Sequence, residues 1–454
     1  MLGGDTLNAL LLTLLYCLQG IPLGLGGASL PYLLKKHMSY NDLATFSLAM
    51  YPFSLKFFWS PLVDSYYFPL LGRRKSWIIP LQFCSGIAML LLSYHIEDMI
   101  LDNSYISTLT LYMFIIILLY ATQDIAVDGW AIEILSDENK PLASSCQSIG
   151  QTIGFFMSFT ILLSFNSLDF CNTYINSVPQ TLPLLSVSSY IYFWGVVNLI
   201  VTGLLFFKHE LPTKESFSVK EIYYKVYEYA KTEKFKYLLL ILLTSRLGTS
   251  FNDSALLLVL SEKGLKESSF GFFAVIMLPI DIALCTLVGF LLKKYPNELR
   301  FYRVGLIFKV CACCWGLVLL QSYPGYPIPN YYYAMLFVGN IASSIAMDCM
   351  FVSICSFFNK IADIAIAGTI LTFLNTLHNL GSSLPRYGVY KAIHYLSAPS
   401  ICEESACEGC EIKCTEGRHG YYPLAAISLL FALFYIFWIK KIINKIEALY
   451  KKSD

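Results

Sequence analysis

Apolar residues run through this chain in blocks of about 20, the length that carries an α-helix across a bilayer core. Such blocks lie near 7–34, 41–68, 77–96, 105–135, 140–166 and 188–208. A segment rich in Lys and Glu, 209–234, interrupts them, and six more follow near 235–260, 268–292, 300–321, 330–358, 363–396 and 421–444. The pattern predicts an all-α integral membrane protein of 12 transmembrane helices in two six-helix bundles, 1–208 and 235–454, joined by a cytosolic amphipathic linker. Several blocks are longer than a bilayer needs, which predicts tilted or kinked helices. Pro22, Pro31, Pro52, Pro61, Pro279 and Pro385 mark candidate kinks.

Composition agrees. Of 454 residues, 56% are hydrophobic and 14% charged, against about 25% charged in a soluble domain. Lys and Arg set the orientation: with a cytosolic N-terminus, 21 fall on cytosolic segments, 7 on the opposite face, and four (Lys56, Arg246, Lys309 and Arg386) inside spans. Both termini are therefore expected in the cytosol. The first block lacks a basic leader and a small-residue cleavage site, so it reads as a retained span. A net charge of +1 and the lack of a basic tract with interleaved aromatics argue against nucleic acid.

The loop 397–420, placed on the non-cytosolic face, gathers Cys402, Cys407, Cys410 and Cys414. On an oxidising face disulfides are the expectation, with three connectivities open and Cys171 a fifth candidate partner. Zinc fits less well, because the spacing is cramped and lacks a second CxxC. The cysteines inside spans are expected to pack as small hydrophobes.

The chemistry concentrates in the stretch Ala121–Ala131. Asp124 and Asp128 lie one helical turn apart on one face, and an aspartate at mid-bilayer costs about 2.5–3.5 kcal/mol on insertion scales. They either pair with basic side chains between helices or line a polar cavity. Lys56 is expected to pair with them or to bind phosphate. Arg246 is the stronger phosphate candidate, with Asp253 as its alternative partner. Lys309 is a further candidate cation, Arg386 a weak one, and Asp281 and Asp348 add to the intramembrane acids. Gln147 with Gln151 and Asn375 with Asn379 are i, i+4 pairs that bridge helices or bind amides of a cargo. Trp130 is a stacking candidate whose alternative is interface anchoring.

The segment Asp64…Gly72-Arg73-Arg74-Lys75 resembles the cytosolic loop motif of the major facilitator superfamily, with Ser65–Leu71 inserted. There Asp64, Arg73 and Arg74 would latch the bundles, and Asp124, Asp128 and Asp348 join them as gating or coupling candidates. A wider set resembles the acetyl-coenzyme A transporter family, a branch of that superfamily related to bacterial muropeptide permeases. It comprises Gln19–Leu25, Pro52–Lys56, Ser60–Asp64, Gly72–Trp77, Ala121–Ala131, Ser148 with Gly150–Thr152, Asp169–Asn172, Phe193–Gly195, Tyr331–Tyr333, Leu374–Gly381, the cysteine loop and Gly420–Tyr422. The resemblance implies import of acetyl-CoA into the endoplasmic reticulum lumen for lumenal acetylation, with no cofactor and no catalysis by the chain. CoA is a candidate counter-substrate, membrane lipid the surroundings, and a homodimer an open oligomeric state. The rivals are the same fold with a muropeptide-like or drug-like cargo, and a membrane acetyltransferase using Asn375 and His378. No phosphate-cradling Gly-rich loop appears, which argues against an ATP-driven pump.

Overall fold

The computed structural model describes residues 5–451 except 137–138, 140–141, 211–218, 266–275, 278, 282, 285–286, 290, 293, 296, 326, 362–366, 399–400, 403–413 and 416–417. The first span is α1 (Thr6–Gly24), a π-turn over Leu25–Ser29, and α2 (Leu30–Lys35). The second is broken into α3 (Tyr40–Ser47), α4 (Tyr51–Leu55) and α5 (Ser60–Ser65), with 3-10 turns between. Pro52 and Pro61 each open a new piece, where a missing N–H costs nothing. Ser39 caps α3 through a capping box with Asp42.

The first half continues with α6 (Lys75–Ser93), α7 (Ile106–Ile134), α8 (Leu142–Phe156) running through a second π-turn into α9 (Leu162–Asn166), and α10 (Val187–Phe206). The expected linker holds α11 (Val219–Lys231), whose Tyr223 hydroxyl donates to the Phe58 carbonyl at 2.5 Å. The seventh span is split into α12 (Glu233–Thr244) and α13 (Ser250–Glu262), and the described residues between 276 and 294 are mostly helical. Then come α14 (Glu298–Gln321), α15 (Asn330–Ile361), α16 (Ala367–Leu396) and α17 (Tyr421–Lys451). Eight of the described helical stretches are long and apolar enough to cross a membrane. The second and seventh spans miss that mark because they are broken. Pro22 and Pro385, by contrast, sit inside continuous helices.

The halves meet mainly through α16, which packs across α3 and α4. At the end opposite the termini their cores merge: Leu30, Leu33, Tyr40 and Leu43 share one cluster with Val389, Tyr390, Ile393 and Tyr421. At the end carrying the termini the second half keeps a core of its own, from Phe235 and Tyr302 to Ile446.

In the loop before α17, β1 (Ile401–Cys402) pairs antiparallel with β2 (Cys414–Thr415), which sets the backbone of Cys402 opposite that of Cys414. Cys407 and Cys410 lie outside the described residues. Cys171 is fully buried as a free thiol beside the Phe165 carbonyl, so the structure does not offer it as a fifth partner.

Candidate transport site

Glycines bring the first-half site together. A Cβ on Gly20 or Gly154 would overlap backbone of the facing helix, Gln151 and Cys17 respectively. Only glycine at these positions lets α1 lie this close to α8. The approach sets Gln19 against Gln151, whose amide donates to Gln19 Oε1 at 3.4 Å and to Asp124 Oδ1 at 3.3 Å. Asp124 is fully buried and ion-paired to Lys56, itself 5% exposed, which enters from the break between α4 and α5. Asp128, one turn on, lies 3.9 Å from the same ammonium and accepts hydrogen bonds from Tyr16 (2.8 Å) and Gln147 (3.0 Å). One lysine thus faces two carboxylates held by three polar side chains from α1 and α8.

The second half treats its cations differently. Lys309 on α14 is buried, pairs with Asp253 on α13 at 2.5 Å and donates to Ser343 at 2.8 Å. Arg246 is thereby left without the partner the sequence suggested for it. It stands in the turn between α12 and α13, its Nη1 touches Met347 Sδ at 3.6 Å, and its Nε is buried with no hydrogen-bond partner. Among the described residues no carboxylate forms an ion pair with it. Tyr302 and buried His378 lie within range of its charge. Asp281 and Asp348 each bury one carboxylate oxygen that lacks a partner.

The remaining sequence candidates fall as follows. Asn375 is exposed, and the Asn379 carbonyl accepts from Ser382 and Ser383 at 2.8 Å. Trp130 is 2% exposed inside the first-half core, so it has no open face for a stacked base. Arg386 crosses between halves to the Gly27 carbonyl at 3.2 Å. Arg74 pairs with Glu133 on α7 at 2.7 Å, its guanidinium lying against Gly129, while Glu210 takes the backbone N–H groups of Arg74 (2.7 Å) and Lys75 (2.9 Å) at the start of α6. Gly72, at φ +95°, makes the turn that permits this. Arg73 is half-buried in the same turn, and the side chain of Asp64 is not among those described.

A second constellation was not singled out from sequence. At the end opposite the termini, Glu262 at the foot of α13 takes Lys35 at 2.5 Å, His419 at 3.0 Å and the Tyr40 hydroxyl at 3.3 Å. Ser261 beside it donates to the Tyr32 hydroxyl at 3.2 Å. The signal was available: Lys35 and Glu262 both end odd-numbered spans and so share a membrane face.

A family model described as acetyl-coenzyme A transporter 1 matches residues 8–217 and 286–453. The chain belongs to the acetyl-coenzyme A transporter family. The transporter is 33% identical over 443 residues to an uncharacterized protein of Schizosaccharomyces pombe, covering 94% of this chain and 84% of that one. It is 30% identical to an uncharacterized membrane protein of Saccharomyces cerevisiae, covering 97% and 95%. The anhydromuropeptide permease of Escherichia coli matches 152 residues at 26% identity, 33% of this chain and 30% of that one. Among solved structures, the nucleoside transporter NupG superposes with a TM-score of 0.59 at 12% identity, covering 98% and 99%. A D-xylose–proton symporter gives 0.57 at 12% identity, covering 94% and 96%. The fold is therefore that of the major facilitator superfamily, two six-helix bundles in a multi-pass membrane transporter. Arg246, Asp253 and Asp281 lie in the stretch the family model leaves unmatched.

Proposed function

We propose that the transporter moves acetyl-CoA from the cytosol into the endoplasmic reticulum lumen by alternating access, supplying acetylation there. The observation that carries the cargo is the family model, which matches most of both halves. The charge layout supports it. Acetyl-CoA is polyanionic, and Lys56 and Lys309 are engaged by Asp124, Asp128 and Asp253. Arg246 has a buried guanidinium N–H without a partner and no described carboxylate, and the phosphates dock there; Arg386 has the same unpartnered Nε but is held to the Gly27 carbonyl of the other half. Asn375 and Asn379 then offer amides to the pantetheine arm, while the Gln151 amide already donates to Gln19 and Asp124. The excess of Lys and Arg on one face supports cytosolic termini. The merged core and the Glu262 cluster then close the lumenal end.

Similarity to the muropeptide permease favours one rival cargo. Thermal unfolding of the purified protein separates the two. A ligand at about 100 times its Kd stabilises the folded state by about 2.7 kcal/mol. The midpoint is expected to rise with acetyl-CoA and CoA and to stay fixed with an anhydromuropeptide. The opposite ranking would transfer the fold to the other cargo.

A further inference from the structure

Where α14 begins and α17 nears its end, the two helices enclose a cleft of about 240 Å³ lined by Arg300, Arg303, Lys440, Ile443 and Asn444. Three of its five lining side chains are cationic. Arg300 is 63% exposed and reaches Glu447 at 3.3 Å, a loose surface pair. The Nε of Arg303 is buried and has no hydrogen-bond partner among the described residues. A buried donor without an acceptor is unfavourable, and an anion in the cleft would relieve it. The cleft is separate from the transport site: Arg303 lies six residues, about 240° around the helix, from Lys309, which points to Asp253 and Ser343.

We propose that this cleft binds the phosphate headgroup of an anionic membrane lipid. Three observations favour a lipid over a soluble anion. The cations stand at the ends of the apolar spans 300–321 and 421–444, where the helices leave the bilayer. The same helices then present exposed apolar side chains within the spans, Val304, Ile307 and Phe308 on α14 and Phe434 and Phe437 on α17. Cations at a membrane rim above an apolar surface are arranged as headgroup and acyl chains are. The cleft is also smaller than the roughly 300–1,000 Å³ that takes a whole drug-sized ligand, so it suits a headgroup better than a nucleotide. Guanidinium forks match phosphate oxygens in pairs, which selects phosphate-terminated lipids over zwitterionic ones.

The test is native mass spectrometry and thermal unfolding of the full-length protein in phosphatidylcholine, with or without phosphatidic acid. Phosphatidic acid should be retained on the protein and raise its unfolding midpoint. Arg303→Gln with Lys440→Gln should cut retention on the order of tenfold or more and abolish the rise. Lys440→Gln alone, at an exposed position, should show the same loss in smaller measure and guards against misfolding of the double variant. Lys441→Gln, exposed and outside the cleft, should behave as the parent. Equal retention in parent and double variant, no rise with phosphatidic acid, or a rise reproduced by inorganic phosphate alone would each overturn the proposal.

Discussion

Lys56 lies between two carboxylates of α7, and that setting decides what its loss would do. Lys56→Ala strands Asp124 as a fully buried charge, and breaking a buried pair from one side typically costs about 3–5 kcal/mol. The unfolding midpoint in detergent should fall accordingly. Adding Asp124→Asn should restore part of it, because both charges are then gone; a double variant no better than the single one would contradict the pairing. Arg246 is the converse case, a cation that no described carboxylate needs. Arg246→Ala is expected to leave the unfolding midpoint nearly unchanged while KM for acetyl-CoA rises about tenfold or more, the loss of a charge-assisted contact. Arg246→Lys should recover only part, since an ammonium lacks the planar fork. Uptake of acetyl-pantetheine, which has no phosphate, should not respond. An equal loss for both cargoes would show that Arg246 supports the fold instead.

Helices are where sequence and structure compare most directly. The spans were legible because a bilayer demands about 20 apolar residues, and the six-plus-six layout followed from the polar interruption at 209–234. The breaks were only half legible. Pro52 and Pro61 announced discontinuity in the second span, and pairing of Lys56 with the aspartates was an expectation, but nothing said that Lys56 would reach Asp124 from a 3-10 turn. No proline stands between α12 and α13; Gly248 among Ser245 and Thr249 was the one breaker signal for the turn that carries Arg246, and nothing marked the diversion of Asp253 to Lys309. The burial of Trp130 was not legible, because a helix pattern with apolar residues on every side does not say which face is buried. The α1–α8 contact was readable in principle from its small residues. Gly154→Leu should separate these helices, since even a Cβ there overlaps the Cys17 carbonyl. The expected result is little monodisperse protein on size exclusion; Gly203→Leu, where the added atom meets nothing, should behave as the parent. Normal behaviour of Gly154→Leu would mean that α1 and α8 do not touch this closely.

As a whole molecule the transporter is closed at one end by contacts between its halves, and Glu262 is their centre. Burial would raise its carboxyl, but hydrogen bonds from His419 and Lys35, and their charge, hold it below the ordinary 4.5. A depressed carboxylate contributes stability that is present above its ordinary value and lost as pH falls through the lowered one. The closed end should therefore hold at neutral pH and loosen only in acid. Glu262→Gln should show the loosened state already at pH 7, read as faster alkylation of a cysteine placed at Asn41, which Lys391 contacts across the halves. Unchanged alkylation would remove Glu262 from the closure. The cargo itself is read from uptake of labelled acetyl-CoA into liposomes carrying the purified protein, with and without internal CoA and a pH gradient. Saturable, vesicle-trapped acetyl-CoA is expected, with CoA competing for it and Arg246→Ala reducing it. Folded protein that traps none under any gradient, or that releases acetylated product without trapping the thioester, would contradict an acetyl-CoA cargo.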